Sequence, residues 1–186
     1  MPTPDLSLRI HEAALLIEKL PSAPCEEVSE DLKLLFLTLH DGEEEQRSTI
    51  EGNIWEIWCA HEDPEIEAEM EQAITAMNAG EHERAEGILD GLVGAWPGWA
   101  EAWNKRATLY FVLGRDAESV GDIQRTLELE PRHFGALCGF AQIADRNGDA
   151  HAARIALERA LVVHPGLPGV PSAIEQLGAN RTETLH

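Results

Sequence analysis

Pro97, Pro131 and Pro165 stand 34 residues apart, and the residues ahead of each carry one pattern of small and large positions. A fixed period of this length is the mark of a solenoid, in which each unit buries its apolar face only against its neighbours. Aligning residues 66–99, 100–133 and 134–167 places Ala73, Ala107 and Ala141 at the eighth position and Gly80, Gly114 and Gly148 at the fifteenth. The twentieth holds Ala85, Ser119 and Ala153, the twenty-fourth Leu89, Ile123 and Leu157, and the thirty-second the three prolines. Small residues at the eighth and twentieth positions let two helices cross closely, where a longer side chain would overpack the contact. Glycine ends the first helix of each unit by taking the left-handed conformation, and proline blocks continuation of the second.

The middle block, Ala-Glu-Ala-Trp-Asn-Lys-Arg-Ala-Thr-Leu-Tyr-Phe-Val-Leu-Gly, resembles the tetratricopeptide repeat family through Trp103, Ala107, Tyr110 and Gly114, followed by Ile123 and Pro131. Arg106 stands where the family has leucine, Ser119 where it has alanine, and Glu69 where the first block should carry a large residue. The stretch from Trp96 to Gly139 is also similar to a group of small bacterial tetratricopeptide proteins. The resemblance implies an all-α fold, an α-α superhelix with three repeats over residues 64–167. Residues 1–63 precede the repeats and residues 168–186 follow them.

An open solenoid end would leave the first repeat's apolar face uncovered, so residues 1–63 are expected to supply a cap. Residues 5–20 read as an amphipathic helix with Leu6, Ile10, Ala13, Ile17 and Leu20 on one side, stopped by Pro21 and Pro24. A second helix is expected over residues 27–40, a turn at Asp41-Gly42, and a third helix from Glu43 to His61 carrying Ile50, Ile54, Trp55, Ile57 and Trp58. Glu43, Glu44 and Glu45 suit the start of that helix, where the peptide dipoles favour negative charge. The pair reads as a degenerate capping repeat over the first block. At the other end, residues 171–178 read as a short helix over the third repeat, with a frayed tail from Ala179.

Net charge is -20, with 23 acidic and 5 basic residues in 1–99 against 11 and 9 in 100–186. Such a surface repels phosphate, which argues against nucleic acid and anionic membranes as partners. It either steers a basic protein segment or serves only as a solubilising face. The N-terminus lacks the pattern of a targeting segment, and the apolar run from Ala13 to Ile17 is too short to span a bilayer; a cytoplasmic location is expected. Cys25, Cys59 and Cys138 are odd in number and far apart, against a disulfide framework.

No enzyme motif has its required spacing, so a catalytic role is not expected. His11, His61 and His82 each precede glutamate, but none has the second histidine of a zinc-protease helix, and all three read as surface residues. Asp145, Asn147 and Asp149 mimic the start of a calcium loop, yet Ala150 and Ala156 stand where glycine and the bidentate glutamate belong. Cys59 and His61 would need outside ligands to hold a metal. No cofactor is implied.

The resemblance points instead to a groove lined by the first helix of each repeat, at its second, fifth, ninth, twelfth and thirteenth positions. It implies as peptide-binding residues Met70, Ile74, Met77 and Asn78 in the first repeat, and Asn104, Thr108 and Phe111 in the second. Cys138, Gln142 and Arg146 complete them in the third. The chain's own helix 5–20 is the competing occupant. Met70, Gly135 and Gly139 stand where chaperone-binding relatives carry the basic residues of a carboxylate clamp, so that clamp is absent, although Lys105 and Arg146 are available to a single acidic group. The expected function is a non-catalytic scaffold or adaptor, monomer or homodimer, that captures an extended protein segment. The alternative is a small acidic secretion-type chaperone, monomeric or dimeric, holding a client.

Overall fold

A computed structural model describes residues 4–21, 30–41 and 44–183 of the chain. Among them are ten helices: α1 Pro4–Lys19, α2 Glu30–Asp41, α3 Glu44–Cys59, α4 Pro64–Asn78, α5 His82–Ala95, α6 Ala100–Val112, α7 Asp116–Leu129, α8 Phe134–Arg146, α9 Ala150–Val163 and α10 Val170–Glu183. The pairs α4/α5, α6/α7 and α8/α9 are the three repeats. None of the described helices is long and apolar enough to cross a membrane. Cys25, Pro24 and Glu43, which the sequence reading singled out, lie outside the described residues.

Each first helix ends as the glycine column requires. Gly80, Gly114 and Gly148 have φ of 74°, 71° and 84°, the left-handed region that L side chains avoid. The residue after each glycine donates its backbone N–H back into the helix, from Glu81 to the Ala76 carbonyl, Arg115 to Tyr110 and Asp149 to Ala144. The alanines at the eighth and twentieth positions are fully or almost fully buried, at 0–3 % exposure. At these crossings there is room for a methyl group and little more.

The three departures from the repeat pattern each have a structural reason. Ser119 is buried beside Ala107, and its hydroxyl donates to the Ala107 carbonyl at 2.7 Å, so the added polar group is satisfied. Arg106 reaches both neighbouring second helices. Its Nε and Nη2 hold Asp122 at 2.7 and 2.9 Å and its Nη1 holds Asp90 at 2.8 Å, while the guanidinium lies over the rings of Trp103 and Tyr110. Glu69 is exposed on α4, the outer end of the array, among Glu65, Ala68 and Gln72. The first repeat thus carries a polar outer face of its own, the arrangement terminal repeats require.

That face changes the role of the N-terminal helices. The hairpin α2/α3 does not cap the first repeat in the expected way. Its buried Leu32, Phe36, Ile50, Ile54 and Trp58 belong to one core with the second and third repeats, whereas Met70, Ala73, Ala85, Leu89 and Leu92 form a separate core with Ala102 and Leu109 of α6. The α3 helix lies along the edge formed by the turns between repeats: Trp99 Nε1 donates to the Trp58 carbonyl at 2.8 Å, Trp58 meets His133 and Phe134, and His164 Nε2 bonds Glu51 Oε2 at 3.3 Å. The predicted stripe of α1 is buried as a unit, with Leu6, Ile10, Ala13, Ile17 and Leu20 at 8 % exposure or less. It rests on α7 and α9, the second helices. The competing occupant therefore docks away from the first-helix groove. At the C-terminus, α10 packs on α9 and continues through Glu183, past the short helix over 171–178 and into the tail from Ala179 that the sequence suggests is frayed.

Candidate protein-binding groove

Burial divides the first-helix positions into two halves. At the ninth, twelfth and thirteenth positions Thr108, Val112, Gln142, Asp145 and Arg146 are exposed and Phe111 is half-buried; at the second and fifth, Glu101, Met70 and Asn104 are buried. In the second and third repeats α3 causes the difference. Trp55 occupies the space over Gly135: a Cβ added there would sit 2.6 Å from Trp55 Cη2. The Trp55 ring is held edge-on by Trp58, Phe134 and His133, with centroids 5.2, 5.3 and 5.5 Å away. The chain has filled the N-terminal half of its own groove.

This filling makes a testable contrast. Gly135→Ala is expected to cost about 1–3 kcal/mol, because the Trp55 ring, held edge-on by three neighbouring rings, must shift to admit the methyl. Gly139→Ala adds a Cβ that meets only Ile123 Cδ1 at 3.8 Å, an ordinary contact, and, lying mid-helix, is expected to stabilise by about 0.4–1 kcal/mol. Urea midpoints of the two variants check it; equal midpoints would place Trp55 elsewhere.

Beneath α3 sits a buried polar cluster centred on Glu101. Its carboxylate accepts from Lys105 Nζ at 2.7 Å, His133 Nε2 at 2.8 Å and Asn104 Nδ2 at 3.2 Å, with Cys59 Sγ at 3.9 Å. His133 caps α8: its Nδ1 accepts the Ala136 N–H at 3.1 Å, which leaves Nε2 as the nitrogen that donates to Glu101. Burial pushes Glu101 up, but the hydrogen bonds from His133 and Lys105 and the charge on Lys105 outweigh it and hold the carboxyl below its ordinary value of 4.5. Burial, then Glu101, pushes the Cys59 thiol up to about 11. His61 does not join it; its ring packs half-buried against Trp96 and Trp99.

The open half holds two neighbouring cavities. One, of about 320 Å³, lies between α6 and α8, lined by Asn104, Thr108, Phe111 and Val112 on one side and Gly139, Gln142 and Ile143 on the other, with Ser119 and Ile123 also contributing. The second, of about 310 Å³, is walled by Cys138, Gln142 and Asp145 of α8, Leu157 of α9, and Val170, Ala173 and Leu177 of α10. Gln142 lines both. Burial pushes the Cys138 thiol up to about 11, so it meets the second cavity as a small protonated apolar group.

The sequence-derived residues separate accordingly. Asn104, Thr108, Phe111 and Gln142 share the first cavity, and Cys138 and Gln142 the second. Met70 is a correction: it is fully buried in the first repeat's core. Asn104 is another in its role, since its amide is committed to Glu101 and is not offered to a partner. Ile74 and Met77 pack against the first repeat's core and Asn78 is exposed, none of them lining either cavity. Neither cation considered for an acidic ligand is free. Lys105 is bound to Glu101, while Arg146 forks onto Asp116 through Nε, at 2.9 Å, and Nη2, and its guanidinium lies 4.2 Å above Phe111. The α10 wall and the α3 plug were missed. The signal for the plug was Gly135 itself, a groove position with no side chain.

No protein-family model matches the chain. A curated relative, the TPR repeat-containing protein of Rhizobium etli, is 35% identical over 142 residues, covering 74% of this chain and 70% of its own length. That alignment is longer than the three 34-residue blocks together, so the likeness extends beyond them.

Proposed function

The chain belongs to the tetratricopeptide repeat family, and from that premise we propose that its open half-groove captures an extended segment of another protein. The observation that carries this reading is the pair of cavities that share Gln142, neither of them lined by a described residue of α1 or α3. Each suits an apolar side chain: Phe111 and Ile123 contribute to one, Leu157 and Leu177 to the other. Between them the exposed Gln142 amide offers a donor and an acceptor to a passing backbone, which is how an extended segment is held without regard to its sequence. Specificity then rests on what the two cavities admit.

The double variant Val112→Asp with Gln142→Ala tests the reading. Both residues are exposed, so helical circular dichroism should not change. Recovery of the protein's partners from native extract, compared with the parent, should fall at least about tenfold, through loss of an apolar wall and of backbone hydrogen bonds. Unchanged recovery, or recovery that collapses only on adding salt, would move binding from the groove to the acidic surface of α3 and α4.

A further inference from the structure

A second site lies outside the groove, where α2 faces α9. A cavity of about 140 Å³ is lined there by Lys33, Phe36, Leu37 and His40 of α2, by Arg132 of the turn before α8, and by Arg159, Val162 and Val163 of α9. In a chain of net charge -20 the described residues of its lining include three cationic side chains and a histidine, and no carboxylate. Two flanking acids on α2 are already paired. Glu30 pairs with Lys33 at 2.8 Å and Asp41 with His40 at 2.8 Å, and both carboxylates face water, with side chains 89% and 80% exposed. Such pairs exchange readily for a better anion.

Arg132 is different. It is 6% exposed, and Glu130 grips it side-on, through Nε at 2.9 Å and Nη2 at 3.0 Å, over the face of Phe36. The third corner of the guanidinium, Nη1, is buried and has no hydrogen-bond partner. A buried donor left unmade carries a desolvation cost that an incoming acceptor would relieve. Arg159 donates through Nη2 to the Pro21 carbonyl, and burial pulls its guanidinium below the ordinary value. The remaining lining is apolar: Phe36, Leu37, Val162 and Val163.

We propose that this cavity binds a small alkyl carboxylate, its head accepting from Arg132 Nη1 and Lys33 Nζ and its stem lying between Leu37 and Val162. The volume is below the roughly 300–1,000 Å³ of sites for drug-sized ligands, which limits the occupant to a head group and a short stem. A free fatty acid and the C-terminal carboxylate of a chain ending in an apolar residue present the same chemistry. The site is independent of the groove, because neither cavity there shares a residue with it.

Calorimetric titration of the full chain with sodium octanoate and N-acetyl-leucine, each beside its neutral counterpart, 1-octanol and N-acetyl-leucinamide, tests this. At least one carboxylate should bind with a Kd of about 1 mM or tighter and its neutral counterpart at least about tenfold more weakly. A preference for octanoate identifies a free fatty acid, and a preference for N-acetyl-leucine identifies a chain end. Arg132→Met alone would strand the buried Glu130, so the charge test is Glu130→Gln with Arg132→Met. The steric test is Val162→Trp, made at a residue 54% exposed, which closes the cavity without altering charge. Both should lose at least about tenfold in affinity with helicity retained. Equal binding of acid and neutral analogue, no binding of either acid, or full affinity in Val162→Trp would overturn the proposal.

Discussion

Trp58→Ala is expected to lower the unfolding free energy by about 3–5 kcal/mol, the range for truncating a buried aromatic. Trp58 is 7% exposed and stacks on His133 with ring centroids 4.1 Å apart and planes 11° from parallel. Phe134, Trp55 and Phe36 surround it at 5.1, 5.2 and 6.0 Å. Removing it opens a cavity where the hairpin meets the turns between repeats, so tertiary structure around the remaining tryptophans should loosen with the loss of stability. Trp58→Phe should cost less than half as much. It keeps most of the apolar contact and deletes an indole N–H that is buried with no hydrogen-bond partner. A loss below about 1 kcal/mol for Trp58→Ala would mean that α3 does not dock on these turns.

The second large effect is expected at Glu101. Glu101→Gln removes the negative charge of a cluster that leaves Lys105, Asn104 and His133 facing an amide, and should cost about 1–3 kcal/mol at neutral pH. The pH dependence carries an independent sign. The folded carboxyl is held below its ordinary 4.5, so its contribution to stability is fully present above that value and is lost as pH falls through the lower folded value. The parent should therefore lose stability on acidification below about 4.5, and Glu101→Gln should lose less over the same interval. Urea unfolding across that interval reads both. Parallel curves would show that Glu101 is not held ionised by its neighbours.

The repeat scaffold was legible in the sequence because its determinants are local. A glycine that must take positive φ, or an alanine at a helix crossing, does the same work in every repeat and recurs at a fixed spacing. The docking of residues 44–59 was not legible in the same way. Trp55 and Trp58 announce an apolar face, but amphipathic spacing does not say which surface covers it. The decision came from groups distant in sequence: Gly135 offers space, His133 offers a ring to stack on, and Glu69 makes the expected docking face polar. The groove positions failed for the same reason. The family pattern assigns Met70 and Asn104 to an open surface, whereas the first repeat's own core takes up one and the cluster beneath α3 the other. Thr108, Phe111 and Gln142, toward the far end of their helices, line the first cavity.

The central claim is that partners enter the half-groove between α6 and α8, and a photocrosslinker at a single position tests it most directly. A benzophenone amino acid replacing Val112, on the wall of the first cavity, should form a covalent adduct with a partner segment in native extract. The same group replacing Arg154, exposed on α9 and lining neither groove cavity, should form none to that partner. Mass spectrometry of the position-112 adduct should show an extended stretch with apolar residues flanking the crosslink. Adducts of equal yield from both positions, or from position 154 alone, would contradict the groove as the binding surface.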